Sequence, residues 1–62
     1  MLFVLEIECN NAAFESNRNA EVSRILKELA ENISSKSDTI LNFGLRDVNG
    51  NQVGGAEFFP NL

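Results

Sequence analysis

Hydrophobic and polar residues alternate at the beginning of this chain, from residue 2 to residue 9. Side chains two positions apart in a β-strand point to the same face of the sheet. One face carries the residues that we expect to be buried: Phe3, Leu5, Ile7 and Cys9. The other carries Leu2, Val4, Glu6 and Glu8. The alternation predicts a first strand over residues 2–9.

A helical period of about 3.6 residues takes over in the middle of the chain. The apolar positions that recur at this spacing are Val22, Ile25, Leu26, Leu29, Ala30 and Ile33. Asn17 or Asn19 can cap the N-terminus of this helix, where Glu21 also interacts favourably with the helix dipole. In the connection before it, we expect Phe14 to fill one end of the core, the alternative being an exposed anchor for a partner.

Two β-prone segments, 39–48 and 52–59, flank the pair Asn49-Gly50, which is a strong hairpin signal. A two-residue turn places Leu41, Phe43 and Leu45 on one face with Phe58, Ala56 and Gly54. A three-residue loop would instead set Leu41 against Glu57 and bury a carboxylate, which is costly. We therefore predict the two-residue turn, with space beside Gly54 for a large neighbour.

The order strand, helix, strand, strand predicts a single α+β domain over residues 1–62, a βαββ unit with the helix on one face of a three-stranded sheet. The first strand can pair antiparallel with the third or lie parallel beside the second. Antiparallel pairs are the commoner ones and tolerate a solvated face. We therefore expect a mostly antiparallel sheet.

One helix covers only one face, so the other face is predicted to expose six large apolar side chains: Leu2, Val4, Ile40, Val48, Val53 and Phe59. Such a patch is large for so small a monomer. We expect a protein partner to cover it, and a second copy in a C2 homodimer is the simplest one, through sheet stacking or edge-strand pairing. In the alternative, these side chains are scattered around the rim and partly covered by Phe14 and the C-terminal tail.

Composition narrows the classes of function. Cys9 is the only cysteine and there is no histidine, so an internal disulfide is impossible and structural zinc is disfavoured. The net charge of −4 argues against a nucleic-acid partner and favours a basic or neutral protein surface, although it also serves solubility. No export signal or membrane-spanning stretch is recognisable, so we expect a cytoplasmic protein. No cofactor or small-molecule substrate is indicated.

The sequence does not favour an enzyme. Without histidine, acid–base chemistry would fall to carboxylates such as Glu6, Glu8 and Glu57. Solubility explains these residues better. Cys9 lies on the predicted buried face, where a thiol behaves as a small apolar group.

Three stretches together resemble a family of short, uncharacterised bacteriophage and prophage proteins: 8–14 (ECNNAAF), 21–26 (EVSRIL) and 47–54 (DVNGNQVG). The likeness covers nearly the whole chain and brings no catalytic motif with it. It implies an accessory viral protein of the bacterial cytoplasm that binds and blocks a host or antiviral-defence protein. A structural or assembly accessory that only self-associates is the alternative.

Overall fold

The computed structural model describes residues 1–61. Strand β1 (Leu2–Ile7) is followed by a short 3₁₀ turn (Ala12–Phe14), helix α1 (Arg18–Ser35), strand β2 (Asn42–Arg46) and strand β3 (Gln52–Phe59). The three strands form one antiparallel sheet in the order β1-β3-β2. The α+β class, the βαββ order and the pairing of the first strand with the third are therefore confirmed. Strands β1 and β2 are shorter than predicted.

Helix α1 begins at its predicted cap, because the Asn17 side chain accepts a hydrogen bond from the Ala20 N–H at 3.1 Å. The helix packs against β2 and the 3₁₀ turn. The buried core of the described chain consists of Phe14, Ile25, Leu29, Leu45, Val53 and Ala56. The predicted core position of Phe14 is confirmed, whereas Leu26, in the same apolar stripe as Ile25, is 40% exposed.

The predicted two-residue hairpin turn is wrong. The Asp47 N–H donates to the Asn51 carbonyl at 2.9 Å, and the Gly50 N–H donates to the Asp47 carbonyl at 3.0 Å, so the loop has three residues, 48–50. A type I′ turn needs positive φ at two central residues. Among residues 1–61 no residue other than glycine has a positive φ, and Gly50 takes this conformation alone at 84°.

A β-bulge nevertheless restores the predicted register. Leu45 pairs with Gly54, and Arg46 pairs with Gln52, so Val53 is an extra residue on β3. The three-residue loop shifts the pairing by one position and the bulge shifts it back. Farther along, Phe43 faces Ala56 and Asn42 faces Glu57, as the two-residue turn would have required. The longer loop therefore does not bury the Glu57 carboxylate.

Gly54 is required by a close approach of two backbones. A Cβ built at this position would collide with the backbone carbonyl of Glu6 on β1. The expected space for a large side chain next to Gly54 is therefore wrong, because the backbone of β1 occupies it.

Candidate interaction surface

The sheet face opposite helix α1, called the open face below, forms a shallow depression of about 400 Å³. The open-face side chains and glycines that line it are Val4, Glu6, Asn42, Gly44, Gln52, Gly55, Glu57 and Phe59. They form rows across the three strands, because paired residues project to the same face of a sheet. One row is Val4, Glu57 and Asn42, and the next is Glu6, Gly55 and Gly44.

Two glycines form a flat floor in the middle of the open face. A Cβ on Gly55 would lie 3.3 Å from the Phe43 carbonyl, and one on Gly44 would lie 3.4 Å from the Gln52 Nε2. Gln52 extends over this region and donates from Nε2 to the Gly54 carbonyl at 3.4 Å. The depression is thus floored by backbone and walled by polar and apolar side chains.

The depression on the open face is acidic. Glu6 and Glu57 line the depression, and within the described chain none of the lining residues is basic. Arg46, the nearest basic side chain on β2, donates from Nη1 to the Gly50 carbonyl at 3.0 Å in the hairpin loop. The two carboxylates therefore lack a basic neighbour in the depression.

Three of the six predicted interface residues come together on the open face. Val4 and Phe59 line the depression. Leu2 is paired with Phe59 across the strands and is 47% exposed. These side chains form an apolar strip at the edge of the acidic depression.

The placement of Val53 on the open face is wrong. Val53 is 7% exposed and belongs to the core with Leu45 and Ala56. The cause is the bulge, because the residue inserted into β3 departs from the alternation of its neighbours.

Ile40 and Val48 also lie away from the open face. Strand β2 begins only at Asn42, so alternation does not extend back to Ile40, which lines a cleft of about 210 Å³ with the helix residue Ile33. Val48 lies in the hairpin loop and is 65% exposed. Their predicted positions on this face are therefore corrected.

Two buried carboxylates, Asp47 and Glu21, accept hydrogen bonds from the loops around the core; the sequence pattern predicted no role for Asp47 and only one at the helix dipole for Glu21. Asp47, 4% exposed, accepts hydrogen bonds at Oδ1 from the N–H groups of Asn49 and Asn51, both at 2.9 Å. Its Oδ2 accepts from the side-chain amides of Asn11 at 2.7 Å and Asn51 at 3.1 Å. Burial raises the pKa of Asp47, but the hydrogen bonds from Asn51, Asn11 and Asn49 outweigh it and leave the pKa below its ordinary value.

Glu21 connects the helix to the hairpin loop. Its Oε2 accepts from the Val48 N–H at 2.7 Å, and its Oε1 lies 2.9 Å from the Arg24 Nε. Hydrogen bonding to Arg24 lowers the pKa of Glu21, against the opposing effect of burial, and the bond from Val48 lowers it further. Arg24 also donates to the Arg46 carbonyl at 3.0 Å.

The sequence carried a signal for the local part of this network. An aspartate two residues before an asparagine, followed by glycine, is typical of an Asx turn. It could not reveal the bond from Asn11, which lies 36 residues away in the sequence. Every buried side-chain nitrogen or oxygen in residues 1–61 has a hydrogen-bond partner.

Within residues 1–61, no three Cys, Asp or Glu side chains are grouped so that they could hold a metal ion. Cys9 is partly buried beside the core. None of the helices in the described part is long and apolar enough to span a membrane.

Comparison with family models, with curated proteins and with solved structures found no match to this chain. The resemblance to short bacteriophage proteins therefore stays a prediction.

Proposed function

We propose that this protein is a non-catalytic protein–protein interaction module, and that its open face binds a partner with basic side chains around an apolar contact. One observation carries the proposal: the apolar strip of Leu2, Val4 and Phe59 borders a glycine-floored depression containing Glu6 and Glu57. Apolar contact supplies affinity, while complementary charge supplies specificity and association rate.

A second copy fits the open face less well than a basic partner does. Stacking two copies about a twofold axis brings the same acidic depression onto itself. With the axis through the depression, Glu6 and Glu57 would approach the same carboxylates of the other copy in a dehydrated interface. Like charges in that setting are unfavourable, so the open face favours a different protein.

The resemblance to short bacteriophage proteins adds a cellular role to the proposal. An accessory protein of this kind would act in the bacterial cytoplasm by occupying a surface that a host or antiviral-defence protein needs. Inhibition would then follow from steric exclusion and would need no catalytic group in this chain.

The test begins with photo-crosslinking of the tagged protein in bacterial lysate, and the captured partner is then purified and titrated by calorimetry. Glu57→Lys should weaken binding at least about tenfold, because it reverses a charge facing the partner. Glu31→Lys is the matched control, since it makes the same charge change at an exposed helix position. Phe59→Ala should also weaken binding, with Leu26→Ala on the helix as its control.

Equal affinities for Glu57→Lys and Glu31→Lys would contradict the assignment of the open face. Affinity should also fall with increasing salt, since the proposed complementarity is partly electrostatic. The partner's own activity, measured with and without the bound protein, then decides between inhibition and simple binding.

A second candidate function, a structural accessory that only self-associates, is favoured by a different feature, the position of β1 at an edge of the sheet. Crosslinking that yields copies of this chain and no other protein would support it. The two candidates therefore separate in the same experiment.

A further inference from the structure

The outer edge of strand β1 has unpaired backbone groups. The Glu8 N–H donates to the Val53 carbonyl at 2.8 Å, which fixes the phase of hydrogen bonding between β1 and β3. In an antiparallel pair, alternate residues direct their N–H and C=O groups toward the partner and away from it. With this phase, Val4 and Glu6 face β3, while Phe3, Leu5 and Ile7 direct their backbone groups outward.

Strand β1 has no proline, lysine or bulge at this edge, and Glu6 is its one charged residue. Natural edge strands are usually shielded by proline, lysine, a bulge or a covering element. The sequence of β1 is LFVLEI, and its pairing with β3 is regular over all six residues. Helix α1 packs mainly against β2 and the 3₁₀ turn. The Cys9 thiol makes a long contact, at 3.8 Å, with the Ile7 carbonyl at this edge.

The opposite edge, β2, is better protected. Strand β2 has five residues, including Gly44 and Arg46. Arg24 reaches across from the helix and donates to the Arg46 carbonyl at 3.0 Å. The two edges of the sheet are therefore not equivalent, and β1 is the one open to a further strand.

We propose that two copies of this chain dimerise by antiparallel pairing of their β1 edges, centred on Leu5, to give one continuous sheet. This register pairs Leu5 with Leu5 of the second copy and Phe3 with Ile7, so all three outward residues are used. It is self-complementary about a twofold axis. The interface lies at the sheet edge and does not depend on what the open face binds.

Charge selects this register over its neighbours. Centring on Leu5 places Glu6 opposite Val4 of the second copy. Centring on Glu6 would place the two Glu6 carboxylates directly opposite each other, which is unfavourable. Centring on Val4 would leave Ile7 without a partner inside β1. On the helix side, the Leu5-centred register adds Phe3, which is 39% exposed, to a shared apolar surface.

The test uses charge changes at Val4 in the 62-residue chain, with sedimentation equilibrium over a dilution series. Val4→Lys places a lysine opposite Glu6 of the second copy at two symmetry-related positions, and should tighten the dimer roughly twofold to thirtyfold. Val4→Glu should weaken it by a similar factor. Val48→Lys and Val48→Glu, in the exposed hairpin loop, are the matched controls and should leave the dissociation constant unchanged.

Amide hydrogen exchange of the wild-type chain gives a second readout that needs no variant. The Phe3, Leu5 and Ile7 amides should become protected as concentration rises, while the Val4 and Glu6 amides are protected throughout. A chain that stays monomeric over the whole series would overturn the proposal. So would a dimer that both Val4 variants weaken, or protection at Leu5 that arises only when another protein is added.

Discussion

Alanine substitution of Val53 and of Val4 tests whether the hairpin of β2 and β3 contains the β-bulge at Val53. Val53 and Val4 would lie on the same sheet face if β3 alternated regularly, but the structure buries Val53 to 7% exposure and leaves Val4 lining the open face. Alanine removes two methyl groups in each case. Both variants also lose similar β-propensity, so the comparison isolates burial.

The expected magnitude follows from the surroundings of each side chain. Burial of two methyl-sized groups is worth about 1.6 kcal/mol at about 0.8 kcal/mol each. An unfilled space in the core adds to this, so Val53→Ala should lower the free energy of unfolding by about 2–2.5 kcal/mol. Val4→Ala should cost less than about 1 kcal/mol, because Val4 is only partly buried. The total free energy of unfolding of a 62-residue domain is roughly 3–9 kcal/mol, so the loss expected for Val53→Ala is a large fraction of it.

The assay is urea unfolding followed by circular dichroism, since the chain has no tryptophan or tyrosine and one helix of 18 residues. Measurements are made at low protein concentration, so that association does not contribute to stability. The urea concentrations at the unfolding midpoints are compared between variants whose unfolding free energy depends on urea with the same slope. Equal losses for the two variants would refute the bulged hairpin. A larger loss for Val4→Ala would refute the assignment of faces as well.

Three further comparisons use the same assay. Gly54→Ala should cost at least about 3 kcal/mol, because its Cβ collides with the β1 backbone, whereas Gly44→Ala, which meets a flexible side chain, should stay within about 1 kcal/mol of wild type. Ile25→Ala should cost about 2–5 kcal/mol and Leu26→Ala less than about 1.5, although both belong to one apolar stripe. The pKa of Asp47 is lowered in the folded state, so its carboxylate stabilises the fold fully above about pH 4 and loses this effect as the pH falls through the folded-state pKa. The urea midpoint of the wild-type chain should therefore fall between pH 7 and pH 3, and Asp47→Asn should make this fall smaller.

The register of the hairpin could be predicted from the sequence because it is set by a nonlocal apolar pattern. Pairing Leu45 with Gly54 and Phe43 with Ala56 collects the apolar residues on one face. Any loop that allows this pairing satisfies the pattern. The sequence pattern therefore determined the pairing of the strands while leaving the path between them open.

The loop itself could not be predicted from the Asn49-Gly50 pair. This pair suits a two-residue turn, but the three-residue loop gains hydrogen bonds to Asp47 from within the loop and from Asn11 in a distant segment. The tandem glycines after Val53 were an available signal, because glycine inside a strand often marks a bulge or a close backbone approach. Whether these glycines marked a bulge or a close backbone approach depended on how closely β1 packs beside β3, which the local sequence does not specify.

The displacement of Val53 changes what kind of partner the open face can accept. With Val53 in the core, and Ile40 and Val48 elsewhere, the face retains an apolar strip smaller than predicted beside Glu6 and Glu57. An acidic depression with a reduced apolar area is poorly suited to stacking on its own copy and well suited to a basic surface. Self-association is then left to the β1 edge, where backbone groups supply the contact and Glu6 can face Val4. The residue inserted into β3 thus contributes to a difference in chemistry between the two proposed surfaces, the open face for a basic partner and the β1 edge for a second copy.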